Sequence, residues 1–228
     1  MRARKKKWAE NEILENELIL HEAKDTDGNW EQIFANPHPL ALEIGCGMGN
    51  FIVDMAKINQ NTNFIGLERE KMVIVAGARK VREWNEAASG EQGDEALKNV
   101  RFILGDAETL EELIGAGELS RIYINFCDPW MRKKKWAKRR LTHKNFLNMY
   151  KRLLNENGEL QLKTDSKELF EFSANEFVEC GWKLKNLTLD LHNSQWAKGN
   201  VMTEYEKKFS EQGMVIYRLV AGVEDKSQ

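Results

Sequence analysis

Four carboxylates recur at one kind of place in this chain. Glu43 lies in "EIGCGMGNF", Glu68 closes "NFIGLE", Asp106 follows "VRFILG" and Asp128 follows "RIYINF". Each of those apolar runs is short and near-continuous, as in strands buried on both faces. Such strands run parallel, so the four acids fall along one edge of one sheet. The first strand, "LALEIG", runs into glycines at alternate positions, Gly45, Gly47 and Gly49, followed by a helical pattern. Small residues there let a ligand approach the backbone at the end of the sheet where such folds bind ligands.

The glycine loop alone is common to nicotinamide, flavin and S-adenosylmethionine sites. The acids discriminate among these. A pyrophosphate among these carboxylates would be repelled by several kcal/mol for each partly buried pair at about 4 Å, whereas a cationic ligand would be attracted. The pattern therefore points to S-adenosylmethionine and away from dinucleotides. Glu68 then suits a ribose diol, Asp106 the exocyclic amine of adenine, and Glu43 an ammonium or sulfonium. Any one acid also has a plainer use as a helix cap or surface residue, Asp106 above all.

A second constellation is "INFCDPWMRKKKWAKRRL", Ile124 to Leu141. Asp128 and Trp130 stand at the lip of a strand, and Pro129 fixes the turn between them. Seven cations follow: Arg132, Lys133, Lys134, Lys135, Lys138, Arg139 and Arg140. They read either as a solvated face or as grips for phosphates, which give affinity and salt dependence without sequence information. Trp130 reads either as a core aromatic or as a platform for a nucleobase, worth about 1–3 kcal/mol per base.

The elements that must position these residues follow from the rest of the pattern. The chain has 228 residues, 42% hydrophobic and 31% charged, with a net charge of -2. That suits one soluble domain spanning 1–228, with a basic segment and helix over 1–30. No run is apolar enough for a transmembrane helix, and "MRARKKKW" passes into acidic "AENEILENELIL" rather than into a secretory signal. Cys46, Cys127 and Cys180 lie far apart without zinc or redox spacing, as expected of buried thiols in a cytoplasmic protein. Cations cluster at Arg2, Arg4, Lys5, Lys6 and Lys7 and again from Arg132 to Lys144, while Glu83 to Glu95 is mostly acidic. Such segregation says more about partners than the total does.

Helical patterns in "GNFIVDMAKIN", "EKMVIVAGARKVREW", "THKNFLNMYKRLLNENG" and "SKELFEFSANEFVECGW" alternate with five strands, the fifth being "GELQLKT". The first of these helices places Phe51, Ile52, Met55 and Ile58 on one face, and the third stops at Gly158. "WKLKNLTLDLH" and "GMVIYRLVAG" read as two last strands, an antiparallel pair with no helix between them. Asn85 to Asn99 reads as an exposed loop or helix extension. The expectation is a Rossmann-like α/β fold: a seven-stranded, mostly parallel sheet with helices on both faces and an antiparallel C-terminal edge.

In order along the chain, "EIGCGMGNF", "GLE", "GDA", "FCDPW", "KRRLT", "LKTDS" with "LFEFS", and "TEYEKKFSEQG" resemble the bacterial tRNA (guanine-N7-)-methyltransferases. The resemblance implies a class I methyltransferase fold, S-adenosylmethionine as donor and the variable-loop guanine of tRNA as acceptor. It implies that Glu43, Gly45, Gly47, Glu68, Asp106 and Asp128 contact the cofactor, with Asp128 also catalytic. It further implies that Arg132, Asp165, Thr203, Glu204, Tyr205 and Glu206 contact the substrate. Two positions depart from the family pattern. Met131 and Arg132 stand where proline and lysine are usual, and the basic run is one residue longer, so Lys133 also suits the lysine's role. No metal is expected, and the protein is expected to act as a monomer or homodimer. Two other classes compete: a different transferase with an acidic pocket, and a non-catalytic RNA-binding protein on the same scaffold. Four pocket acids argue against the second.

Overall fold

The structure is a computed structural model that describes residues 7–20, 29–88 and 96–223. Arg2, Arg4, Lys5 and Lys6 lie outside those residues, as does part of the Asn85–Asn99 segment. Within the described residues, Ile19–Leu20 (β1), Leu40–Ile44 (β2), Asn63–Glu68 (β3), Val100–Leu104 (β4), Leu119–Asn125 (β5) and Leu154–Thr164 (β6) pair in parallel. Trp182–Thr188 (β7) and Tyr217–Val223 (β8) add antiparallel at the C-terminal edge. The strands stand in the order β1-β4-β3-β2-β5-β6-β8-β7. Every residue of β2 is buried, as a central parallel strand requires, whereas β7 alternates between buried or half-buried and exposed, as an edge strand does.

Helices cover both faces. Lys7–Glu15 (α1), Asn50–Ile58 (α3) and Lys71–Ala88 (α4) pack on one side, around Phe51, Ile52, Ile74, Val81 and Phe102. Trp30–Phe34 (α2), Leu110–Leu113 (α5), Lys144–Leu153 (α6) and Lys167–Glu179 (α7) contribute to the other. The spacing of Phe146, Leu147, Tyr150 and Leu153 on α6 gives it one buried stripe, and the His143 side chain accepts from the Asn145 amide to cap its start. No helix of the described residues is long and apolar enough to cross a membrane.

Several expectations change in detail. The sheet has eight strands rather than seven, because two residues after α1 add β1 at the far edge. Helix α6 ends at Leu153, and the chain enters β6 there instead of continuing to Gly158. Ile58 is 65% exposed, since the buried face of α3 is Phe51, Ile52, Val53 and Ala56. Of the three cysteines, all free, Cys46 is buried but Cys127 and Cys180 are only half-buried. A helix, Glu204–Glu211 (α8), does lie between β7 and β8. Its sequence, EYEKKFSE, offers only the pair Tyr205 and Phe209 to an apolar face, with Phe209 half-buried beside Phe126, and its one buried side chain is the charged Glu206.

Candidate functional site

Strand β2 has β3 on one side and β5 on the other, so the chain order reverses across it. The crevice beyond the C-terminal ends of such strands is where ligands bind in this architecture. Register then decides which side chains share a face. Glu43 pairs with Gly66 on β3 and Tyr123 on β5; Glu68 and Asn125 lie two residues further along, and Asn125 pairs with Lys163 of β6. With a side-chain period of two, Glu43, Glu68, Asn125 and Lys163 project from the same face.

Glu43 is only 2% exposed. Asn125 Nδ2 donates to its Oε1 at 2.9 Å, while its Oε2 is buried without a partner. Burial pushes its pKa up to about 7, helped by the charge of Glu68 and opposed by the Asn125 hydrogen bond and by Lys163. A buried carboxylate oxygen left without a donor calls for an explanation. A ligand cation would supply one.

The glycine loop completes that side of the crevice. Gly45 and Gly47 have φ of +76° and +56°, and a Cβ on either would meet nothing within 4 Å, so the loop leaves open space above its backbone. Gly49 serves packing instead, because a Cβ there would come within 3.0 Å of Gly77 Cα and of the Phe102 ring. Glu68 holds the loop: its Oε2 accepts from the Gly47 amide at 3.1 Å and its Oε1 from the amides of Arg69 and Glu70, both at 2.9 Å. Asp106 is exposed and caps the 3-10 turn Ala107–Thr109, accepting from the Glu108 amide through Oδ1. Its plainer use as a cap is therefore present, and a carboxylate has acceptor capacity to spare. An orphaned buried carboxylate, open glycine backbone and two further acids fit S-adenosylmethionine, which is cationic and carries a ribose diol and an adenine amine. Among the described residues no cluster of His, Cys, Asp or Glu could hold a metal ion.

Beyond β5 the chain turns sharply. Phe126 and Trp130 both take left-handed φ, +51° and +48°, unusual for bulky residues and a mark of a conformation imposed by surroundings. Arg140 is one source of that constraint. It is 8% exposed, donates from Nε to the Pro129 carbonyl at 2.9 Å, and lies 4.1 Å from the centre of the Phe172 ring. Arg140 thus leaves the set of phosphate grips, because its guanidinium is committed to the turn. Arg132, Lys133, Lys135, Lys138 and Arg139 are exposed. Trp130 is half-buried and belongs to neither core, forming a surface cluster with Trp136 (rings 5.8 Å apart, edge to face) and the Arg139 guanidinium at 5.0 Å. Asp128, exposed at the head of the turn, accepts no hydrogen bond from the described residues.

The last group comes from β6 and α8. Asp165, half-buried, follows directly on β6. Thr203 caps α8, accepting from the Glu206 amide at 2.9 Å. Glu204 is exposed and lies 3.7 Å from Lys80 Nζ, which also donates to the Met48 carbonyl of the glycine loop. Tyr205 is 58% exposed, whereas Glu206 is fully buried in an ion pair with Lys163 at 2.6 Å. Glu206 therefore presents no open carboxylate to a base, unlike the direct contact expected of it. Asn125, Lys163 and Asn200 join the site from the structure alone. The signal for them in the sequence is Lys163 itself, a cation in the apolar run "LQLKT".

Residues 37–219 match the family described as "Putative methyltransferase". Among solved structures, an antibiotic-related methyltransferase superimposes with a TM-score of 0.62 at 18% identity, covering 85% of this chain and 92% of that one. The 16S rRNA methyltransferase KamB gives 0.61 at 15% identity, covering 86% and 93%. At those identities the likeness shows a shared fold. Curated relatives come nearer in sequence. The tRNA (guanine-N(7)-)-methyltransferase of Bacillus velezensis is 44% identical over 96% of this chain and 95% of its own length. That of Clostridioides difficile is 44% identical over 97% and 98%, and that of Bacillus subtilis 42% over 96% and 97%. The chain belongs to the tRNA (guanine-N7-)-methyltransferase family.

Proposed function

We propose that this chain, working as one domain in the cytoplasm, methylates N7 of the variable-loop guanine of tRNA. The observation that supports this reading is a buried orphaned carboxylate at Glu43, hydrogen-bonded to Asn125 at the end of β5, from which the chain passes to the exposed Asp128 and its exposed cation run. The first suits a cationic donor and the cation run a polyanionic acceptor. S-adenosylmethionine supplies a methyl group already activated on a sulfonium. Glu43 would face the donor's cationic part, Glu68 its ribose and Asp106 its adenine, over Gly45 and Gly47.

Guanine N7 carries an in-plane lone pair and no hydrogen, so no base need remove a proton before attack. Asp128 has two tasks in this mechanism. It orients the acceptor in line with the methyl group, and its charge stabilises the positive charge that grows on the purine ring. Arg132, or Lys133 next to it, holds a phosphate; Asp165, Thr203, Glu204 and Tyr205 border the acceptor, and Glu206 acts from beneath them. The test is mass spectrometry of nucleosides from unmodified tRNA incubated with the protein and the donor. 7-Methylguanosine that depends on both supports the reading. Its absence, with donor binding intact, would overturn it.

A further inference from the structure

Lys163 is fully buried, near the C-terminal end of β6, where the strand pattern expects an apolar residue. Its Nζ donates to Glu206 Oε2 at 2.6 Å, to the Val201 carbonyl at 2.8 Å and to Asn200 Oδ1 at 3.2 Å. Those bonds use all the donors an ammonium has. Glu206 is held from its other oxygen by Asn200 Nδ2 at 2.5 Å, and His192 Nε2 lies 3.2 Å away without hydrogen-bond alignment. Both charges are thus saturated by one stretch, Asn200 to Glu206, with His192 alongside. The ammonium also lies 5.0 Å from the centre of the Phe51 ring, in the first turn after the glycine loop.

Such a pair is a poor source of stability. Removing two charges from water offsets most of their attraction, and well-packed apolar replacements are often as stable. What the pair does supply is a single geometry. It seats the start of α8, with Thr203 and Tyr205, against the end of β6 beside Asp165. Lys163 shares a face of the sheet with Glu43, separated from it by its register partner Asn125, which donates to Glu43 at 2.9 Å. Across that link its charge favours that of Glu43.

We propose that Lys163 is a positioning residue for methyl transfer, one buried cation that seats the Asn200–Glu206 segment on the acceptor side and balances Glu43 on the donor side. This rests on the methyltransferase reading above. The decisive variant is Lys163→Met with Glu206→Gln, which removes both charges together and keeps an amide for Asn200. It should melt cooperatively. Its KM for tRNA should rise by about tenfold, as expected when binding contacts made alike in the ground and transition states are displaced. Its affinity for S-adenosylmethionine should fall near pH 7 and recover as the pH rises, because Glu43 without its neighbour ionises later. The other groups facing Glu43 are Glu68 from β3, Tyr123 and Asn125 from β5, and Cys46 from the loop; all stay in place. A merely structural ion pair would leave that pH profile unmoved. A parental value of either quantity in the folded double variant overturns the proposal. Should that variant not fold, Asn200→Ala decides: it keeps both charges and should raise the KM for tRNA several-fold with donor affinity unchanged, and a parental KM overturns the proposal. Failure of the parent itself to methylate tRNA would instead refute the functional reading.

Discussion

Replacing Glu43 with glutamine should stabilise the ligand-free protein above neutral pH while removing most of its affinity for S-adenosylmethionine. In the folded chain burial raises the pKa of Glu43 from the ordinary 4.5 to about 7. Between those values the folded state keeps a proton that the unfolded state has lost, so stability declines as pH rises through the interval. At about 1.36 kcal/mol for each pH unit, the interval amounts to about 3 kcal/mol. The amide introduced by Glu43→Gln would still accept the Asn125 hydrogen bond and would never ionise, so the variant's stability should not follow that decline. Urea denaturation at a series of pH values should show parent and variant alike near pH 4.5 and diverging until the variant leads by about 3 kcal/mol above neutrality. Calorimetric titration with the donor should show the complementary loss. Parental affinity should climb by about tenfold per pH unit below about 7 and then level off, because the donor's cation binds the ionised form. The variant's affinity should be weak and flat. A variant less stable than the parent above neutrality, or a difference that ignores pH, would refute the account of Glu43 as a charge held in place for a ligand.

Asp128→Ala should bind tRNA yet lose methyl transfer by on the order of a hundredfold in single turnover with both ligands saturating. Asp128→Asn separates orientation from charge: a partial loss indicates the first, a near-complete loss the second, and parental rates in both variants refute the catalytic role. Replacing Lys133, Lys135 and Lys138 with Ala should weaken tRNA binding and flatten log affinity against log salt by about 0.9 for each phosphate no longer neutralised, with donor affinity unchanged. An unchanged slope would return those lysines to a solvated face. Arg140→Met should keep that slope but lower thermal stability, through loss of a charged hydrogen bond worth about 1.5–3 kcal/mol. A flattened slope would show that Arg140 does reach phosphate.

The donor side is largely legible in the sequence because its signals are local. Apolar runs that end in an acid, and glycines at alternate positions, report directly on strand ends and on backbone that a ligand can approach. For Asp106 the structure shows the plainer use, a cap on one carboxylate oxygen, which leaves the other oxygen for the proposed adenine contact. The acceptor side is harder to read because charge does not reveal exposure. Arg139 and Arg140 are adjacent and alike in sequence, yet one guanidinium lies over Trp130 at the surface while the other is buried against Pro129 and Phe172. What separates them is the direction in which the chain leaves the short helical turn Lys134–Arg139, and no periodicity in a basic run records that.

Helix α8 shows why periodicity fails where it does. Amphipathic patterning detects helices anchored by apolar contacts, and α8 is anchored at its start by a charge. Thr203 and Glu206 have the spacing of a capping box, in which the glutamate would reach back to the cap residue's own amide. Here the threonine makes its half of the motif, while the glutamate turns inward to Lys163, 43 residues earlier in the chain. A local motif has been diverted into a long-range contact, so the helix is fixed by a partner that its own sequence does not contain. The same diversion joins the two halves of the site. Lys163 bonds Glu206, legible only as part of a family motif, and is linked through its register partner Asn125 to Glu43, the acid proposed to face the donor. The position of the acceptor segment is then a property of β6 rather than of α8. Substitutions within α8 that leave Thr203 and Glu206 intact should accordingly disturb the acceptor segment less than one change at Lys163.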